Sequence, residues 1–303
     1  MRSTSETARP PGMGVNIRSV LHQTWWEFRG ALLSTRMLIC VIIISFSVVA
    51  GSYGISLMAL RPENTILPSD LGGSRAEFVL YLVSFMTAMF GSLMALILSF
   101  DAFSRDRESG AADVLVSRPI TKRGIALSKF LGLNLAIAVC VISVIYASIA
   151  IIERTVGESI PWPTVAWYIL STVALFGAMT LVQMLLSLAA RNAGSAIMYG
   201  VSVWFLYSIF WLVVSLSIAQ WAGLDPASAA TATDYTGSEE FSYISNRVDL
   251  FNPIGAFHLC TGILLAGGNE VITIPHAWAY AALLLWVVIP LVALMEIYNR
   301  MER

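Results

Sequence analysis

Ionisable side chains are scarce in this chain, which is 57% hydrophobic and only 12% charged, yet they gather between Asp101 and Lys129. Asp101, Arg105, Asp106, Arg107 and Glu108 alternate in sign, Asp113 follows, and Lys122-Arg123 and Lys129 close the stretch. Side chains of this kind make ion pairs and charge-assisted hydrogen bonds to a second surface. A loop that merely retains positive charge on one side of a membrane accounts for the basic residues but not for Asp101, Asp106, Glu108 and Asp113. Val114, Leu115 and Val116 lie among them, and a small apolar centre with a polar rim is the composition of a docking knob.

Catalytic patterns are missing. No G-x-x-x-x-G-K-[ST] loop is present to cradle nucleotide phosphates, so that device is excluded. No HExxH occurs, and His22, His258 and His276 are far apart; His258, Glu270 and His276 lack any ligand spacing, so no metal is expected. No G-x-S-x-G accompanies the many serines. Cys40, Cys140 and Cys260 are isolated and read as small core hydrophobes without a disulfide. The chain is therefore read as no enzyme, binding no cofactor of its own.

The elements that must carry these groups follow from a mean hydropathy of +0.75. Six apolar runs, Met37–Leu60, Phe78–Phe100, Gly124–Ile152, Thr164–Ala190, Ser195–Ala222 and Ala277–Met295, reach the roughly 20 residues that a helix needs to cross a bilayer. Backbone groups in lipid must bond within their own segment, so each run is predicted to be helical. Lys129 is the one charged residue inside a run, about one turn from its end, where it can snorkel. Asn134 and Gln183 are the bulkier polar residues in the runs, and such groups cross-bond helices more often than they bind substrate. Gly91, Gly132, Gly177 and Gly200 are positions for close helix approach. Trp204, Phe205, Tyr207, Phe210 and Trp211 suit a path lining, a dimer face or lipid-facing bulk alike.

Residues 1–14 are polar, contain Pro10-Pro11 and lack the apolar core of a signal peptide, so a disordered cytoplasmic tail is expected. Residues 15–36 are amphipathic: Ile17, Val20, Leu21, Trp25, Phe28 and Leu32 share one face, with Arg18, His22, Arg29 and Arg36 beside it. This describes a helix in the inner membrane interface, with Trp25, Trp26 and Arg29 as its contact residues. Trp26, opposite the apolar face, fits either a headgroup anchor or a protein contact.

With the N-terminus inside, 14 of the 18 basic residues fall in inner segments and Arg61, Arg75, Arg154 and Arg247 outside, so both termini are predicted to be cytoplasmic. The outer segment 223–276 begins polar. Asn252-Pro253 then opens the apolar stretch 254–268, whose 15 residues are too short to span. A re-entrant helix there is tolerated only against protein or a watery cavity. It marks either a buried lid or the neighbourhood of a path, for which Asn252, Pro253 and Gln183 are the candidates.

The inner hinge, residues 101–123, resembles that of the permease subunits of ABC-2 type transporters. Their loop reads D-x-[IF]-S-x-E-R-x-x-G-T-[LI]-E-[LV]-L-[LV]-[ST]-x-P-[IV]-[ST]-R, and this chain matches it at Asp101, Phe103, Ser104, Arg107, Gly110, Val114–Ser117 and Pro119–Thr121, with Lys129 beyond. It departs at Asp106 and Asp113, where Glu is usual, at Ala111-Ala112 in place of Thr-Leu, and at Lys122 in place of Arg. Residues 15–303 share the family's plan, most like the branch that includes the permease of nitrous-oxide-reductase maturation. The resemblance implies an all-α membrane protein of the cell membrane: six spans in one domain, 37–303, an interfacial helix, a cytoplasmic coupling helix and an outer re-entrant helix. It further implies an exporter in which a second permease copy or paralogue completes the path. A separate ATP-binding-cassette subunit, carrying ATP and Mg, would dock on the coupling residues Asp101, Arg105, Asp106, Arg107, Glu108, Gly110, Val114, Leu115 and Pro119. An ion-coupled transporter or channel, or a scaffold for extracytoplasmic assembly, are the alternatives. Ion coupling usually needs intramembrane carboxylates, which the six runs lack.

Overall fold

The computed structural model describes residues 17–61, 73–105, 121–224, 239–267 and 271–300. Regular structure among them is entirely helical. The tail 1–14 and the hinge residues Asp106, Arg107, Glu108, Gly110, Val114, Leu115 and Pro119 lie outside the described residues.

The amphipathic segment forms α1, Ile17–Leu32. The expected helix over 15–36 thus ends earlier, because Ser34 starts the next one: its Oγ accepts from the Met37 amide. Arg36 therefore sits in the first turn of α2, Thr35–Ala59. Ser74 caps α3, Arg75–Ser99, and Thr121 caps α4, Lys122–Val156. α4 has 35 residues, roughly 50 Å at the α-helical rise, and so outreaches the ~30 Å hydrocarbon core. Gly157 ends it in the left-handed region, φ 81°, where a residue with no Cβ is unstrained. Pro163 stands in the first turn of α5, Trp162–Ala189, where its missing N–H costs nothing.

Asn192 and Ser195 form a reciprocal capping box that opens α6, Ala193–Phe205, immediately after α5, and these two helices pack as antiparallel neighbours. A five-residue π-helical turn, Leu206–Phe210, interrupts this fifth span before it continues as α7, Trp211–Trp221. Within the polar first half of the outer segment, residues Glu239–Asp249 form a helix, α8. This helix packs against α7. The short helix α9, Pro253–Leu265, is buried nearly throughout. The last span is α10, His276–Arg300.

Among the described residues six helices are long and apolar enough to cross a membrane, α6 and α7 counting as one. α3, α4 and α5 form the centre, with 61%, 50% and 61% of their apolar stretches buried within the chain, against 22% for α2, 11% for α6–α7 and 17% for α10. The large core joins α2–α5, α9 and α10, and a second cluster around Phe103, Phe130, Met184 and Leu294 closes the end that carries the hinge.

Polar ties cross-bond the spans. The Tyr168 hydroxyl meets Thr87 Oγ1 at 3.2 Å, Trp204 Nε1 donates to Ser92 Oγ at 3.0 Å, and the Ser52 and Ser148 hydroxyls are hydrogen-bonded to each other. In hydrocarbon such bonds have few competitors. Of the four glycines singled out, Gly91, Gly132 and Gly200 face neighbours too near for a Cβ, whereas Gly177 has ordinary room beside Asn134.

Candidate functional site

The stem of the hinge is anchored to almost every helix around it. Asp101 follows α3, and its Oδ2 accepts from Arg36 Nη1 of α2 at 2.6 Å, with Arg105 Nη1 at 3.7 Å. The Arg36 guanidinium lies 5.0 Å above the Phe100 ring, which keeps its charge while shielding one face. The amides of Phe103 and Ser104 both donate to Ser187 Oγ near the end of α5, at 3.3 and 3.1 Å. The buried Phe103 ring packs 5.0 Å from Tyr298 of α10. On the return side, Arg123 Nη2 donates to Glu296 Oε2 of α10 at 2.7 Å, and Arg300 shares that carboxylate at 2.9 Å.

Lys129 does not snorkel. It is only 8% exposed, and its Nζ donates to the Ala102 carbonyl at 3.0 Å and lies 3.8 Å from Glu27 Oε1 of α1. The ammonium stays inside because the fold supplies a carbonyl and a carboxylate that replace water. One side chain thus joins α4, the hinge stem and α1. Glu27 is steadied by Gln23 Nε2 at 3.1 Å. A cleft of about 440 Å³ opens here, lined by Glu27, Ser34, Arg36, Asp101, Arg105 and Lys129 among others.

α1 departs in part from the expected face. Val20, Gln23 and Thr24 are its buried residues, and it lies along α4. Gly132 makes the approach possible, since a Cβ there would stand 2.6 Å from Glu27 Cβ and 2.8 Å from the Thr24 carbonyl. Phe28 and Leu32 pack against the core as partly buried groups. Ile17, Leu21 and Trp25 stay outside, available to a membrane interface. Trp25 and Trp26 are 58% and 55% exposed, Arg29 is exposed, and Trp26 Nε1 donates to His22 Nε2 at 3.0 Å.

The candidates for a path lie elsewhere, in helix-to-helix bonds. Gln183 Nε2 donates to the Ala196 carbonyl at 2.9 Å, tying α5 to α6. Asn252 is buried: Oδ1 accepts from the Ile254 amide, capping α9, while Nδ2 donates at 2.9 Å to the Tyr207 carbonyl in the π-helical turn. Pro253 is the buried first residue of α9. At this elbow Trp211 Nε1 donates to Asp249 Oδ1 at 2.9 Å, Trp286 Nε1 donates to the Leu250 carbonyl at 3.1 Å, and Tyr207 stacks edge-on with both indoles. The aromatic set on the fifth span thus divides. Trp204, Tyr207 and Trp211 hold the bundle together, whereas Phe205 and Phe210 face outward.

Among the described residues no group of three His, Cys, Asp or Glu could hold a metal, and Glu270 lies outside them. The chain thus offers a charged, multiply anchored hinge at one end of six membrane-crossing helices. A family profile described as "ABC-2 family transporter protein" matches residues 23–303. The chain belongs to the ABC-2 transporter family. It is a multi-pass membrane protein, and the match extends from within α1 through the last span of this ABC-2 permease. No branch within the family is distinguished by that match. Among curated proteins none matches.

Proposed function

We propose that this ABC-2 permease is the membrane subunit of an ATP-driven exporter, coupled through residues 101–123 and α1 to a separate ATP-binding-cassette subunit that carries ATP and Mg. The carrying observation is the stem of the hinge. A force applied to residues 106–120 reaches α2 through Asp101–Arg36, α5 through Ser187, α10 through Phe103, and α4 and α1 through Lys129. In this reading both termini and the hinge are cytoplasmic, supported by the 14-to-4 division of basic residues. α9 enters from the opposite side as a re-entrant helix. A second permease copy or paralogue completes the path, and the three little-buried spans α2, α6–α7 and α10 offer surface for it. Asn252 and Gln183 act as ties between helices rather than as groups that line the path.

The test is co-purification of the permease with its cognate ATP-binding subunit. Replacing Asp101–Ser117 by a Gly/Ser linker should abolish it, and undiminished recovery would remove the hinge from the docking site. Reversing Asp106 and Glu108 to Lys should preserve insertion and uncouple ATP hydrolysis from transport. Full transport by that variant would exclude a charge-dependent contact.

A further inference from the structure

Asp249 is an oddly placed carboxylate. It is the last residue of α8, where the carbonyl end of an 11-residue helix disfavours negative charge. It is half-buried against the fifth span, and its hydrogen bonds are from neutral donors, Trp211 Nε1 at 2.9 Å and the Ser245 hydroxyl. Among the described residues no cation pairs with it. α7 carries no ionisable residue, the π-helical turn brings the Tyr207 phenol, and α9 brings His258 and Cys260. α10 has His276 and Tyr280 in the half nearest the elbow. On α8 itself are Glu239, Glu240, Tyr243 and Arg247. The Arg247 guanidinium folds back onto its own helix, 3.4 Å over the Tyr243 ring and donating to the Tyr243 carbonyl at 2.7 Å.

The surroundings are as tight as they are uncharged. A Cβ on Gly255 would stand 2.8 Å from the Asp249 carbonyl oxygen and 2.9 Å from Asp249 Cβ, so the start of α9 is pressed against this residue. This packing restricts the room beside Asp249 on the α9 side.

We propose that the elbow between α8 and α9 is a proton-sensitive latch, in which neutral Asp249 keeps α8 docked on α7 and ionised Asp249 releases it. A neutral carboxyl still accepts from Trp211 and gains a donor of its own, whereas the ionised group pays for desolvation without a counter-ion. Trp211 directly follows the π-helical turn, a register break of the kind that recurs at functional sites. Release of α8 therefore removes a restraint at the one place where the fifth span departs from α-helical geometry. The latch stands independently of the coupling reading. Only the compartment whose pH it senses depends on the orientation proposed above.

Burial pushes the Asp249 carboxyl up to about 6, against the two donors that lower it. The docked state then binds the proton more tightly than the released one. Its advantage is complete below the ordinary aspartate range and is lost as pH rises through about 6. Hydrogen exchange of α8 in the full chain, held in lipid nanodiscs and corrected for intrinsic exchange, reads the release. Protection of wild type should fall about tenfold between pH 5 and pH 8. Asp249→Asn keeps the acceptor oxygen, so its protection should be high and flat. A flat wild-type profile, or Asp249→Asn retaining the wild-type slope, would overturn the latch. Should that variant fail to fold, the carboxyl carbon-13 shift of Asp249 in the wild type decides. Titration near pH 6 supports the proposal, and a carboxylate fully ionised at pH 5 sinks it.

Discussion

The hinge end and the elbow end of this permease solve the same problem, holding a connection against several spans, with opposite chemistry. At the hinge the ties are ionic: Asp101 with Arg36 and Arg105, Glu296 with Arg123 and Arg300, Lys129 with Glu27. At the elbow they are neutral and aromatic. Indole N–H groups of Trp211 and Trp286, the Asn252 amide and the edge-on Tyr207 ring do the joining, and the Asp249 carboxylate pairs with no cation among the described residues. The more exposed of these pairs contribute little and exchange partners readily, which would suit the docking surface proposed above. Buried neutral bonds exchange poorly, which suits the internal support proposed for the elbow.

The comparison can be broken most severely at Gly132. Gly132→Leu should force α1 off α4, because the new side chain collides with Thr24 backbone as well as Glu27. Overpacking of this kind costs about 1–3 kcal/mol. Thermal unfolding of the detergent-solubilised chain should show the loss, and recovery of the ATP-binding subunit should fall with it. An unchanged melting temperature would mean that α1 is not held at this seam.

Lys129→Met tests whether the hinge end contains one internal tie among its exchangeable ones. It removes the bond to Ala102 and leaves Glu27 without its cation. Loss of a charge-assisted bond is worth about 2 kcal/mol, read as a lower melting temperature. An effect no larger than that of a surface pair would place Lys129 in water.

At the other end, Gly255→Ala should displace the Asp249 backbone and lower the protection of α8 at every pH, by about 1 kcal/mol, the low end for overpacking. Hydrogen exchange separates this uniform loss from the pH-dependent release predicted for the wild type.

Glu158 offers the opposite sign to Asp249. The Ser74 hydroxyl, which donates to it at 2.7 Å, holds its carboxyl below the usual range. Its tie between the start of α3 and the loop after α4 is intact above the ordinary glutamate range and lost as pH falls through the lowered value. Glu158→Gln should remove a small acid-side decline in the melting temperature, while Asp249→Asn removes a decline on the neutral side.

The smallest effect is expected at Glu296→Gln. Both cations it meets are exposed, so thermal stability should be unmoved. A clear drop would show that the hinge end is as rigidly internal as the elbow and would erase the contrast.

Much of this architecture could be read before any coordinate. The six spans and the short helix α9 follow from uninterrupted apolar length, since lipid leaves the backbone no partner but itself. The charged hinge was legible because nine ionisable residues in such an apolar chain need a reason. α8 was not legible. Ser, Asn and Asp weaken its helical preference, and an 11-residue helix of this composition is held by its packing against neighbouring helices. The π-helical turn has no residue pattern that announces it.

Composition and periodicity by themselves determined which segments cross the bilayer, which connection carries the charge, and where polar groups interrupt apolar surface, because these are properties of the chain against its solvent. The tertiary structure alone decided partners. It turned Lys129 inward to a carbonyl, gave Gln183 and Asn252 carbonyls on neighbouring helices, and set Asp249 beneath an indole that donates to it. A hydrogen bond across 45 or 84 residues depends on where two helices meet, and residue type records only the need for one.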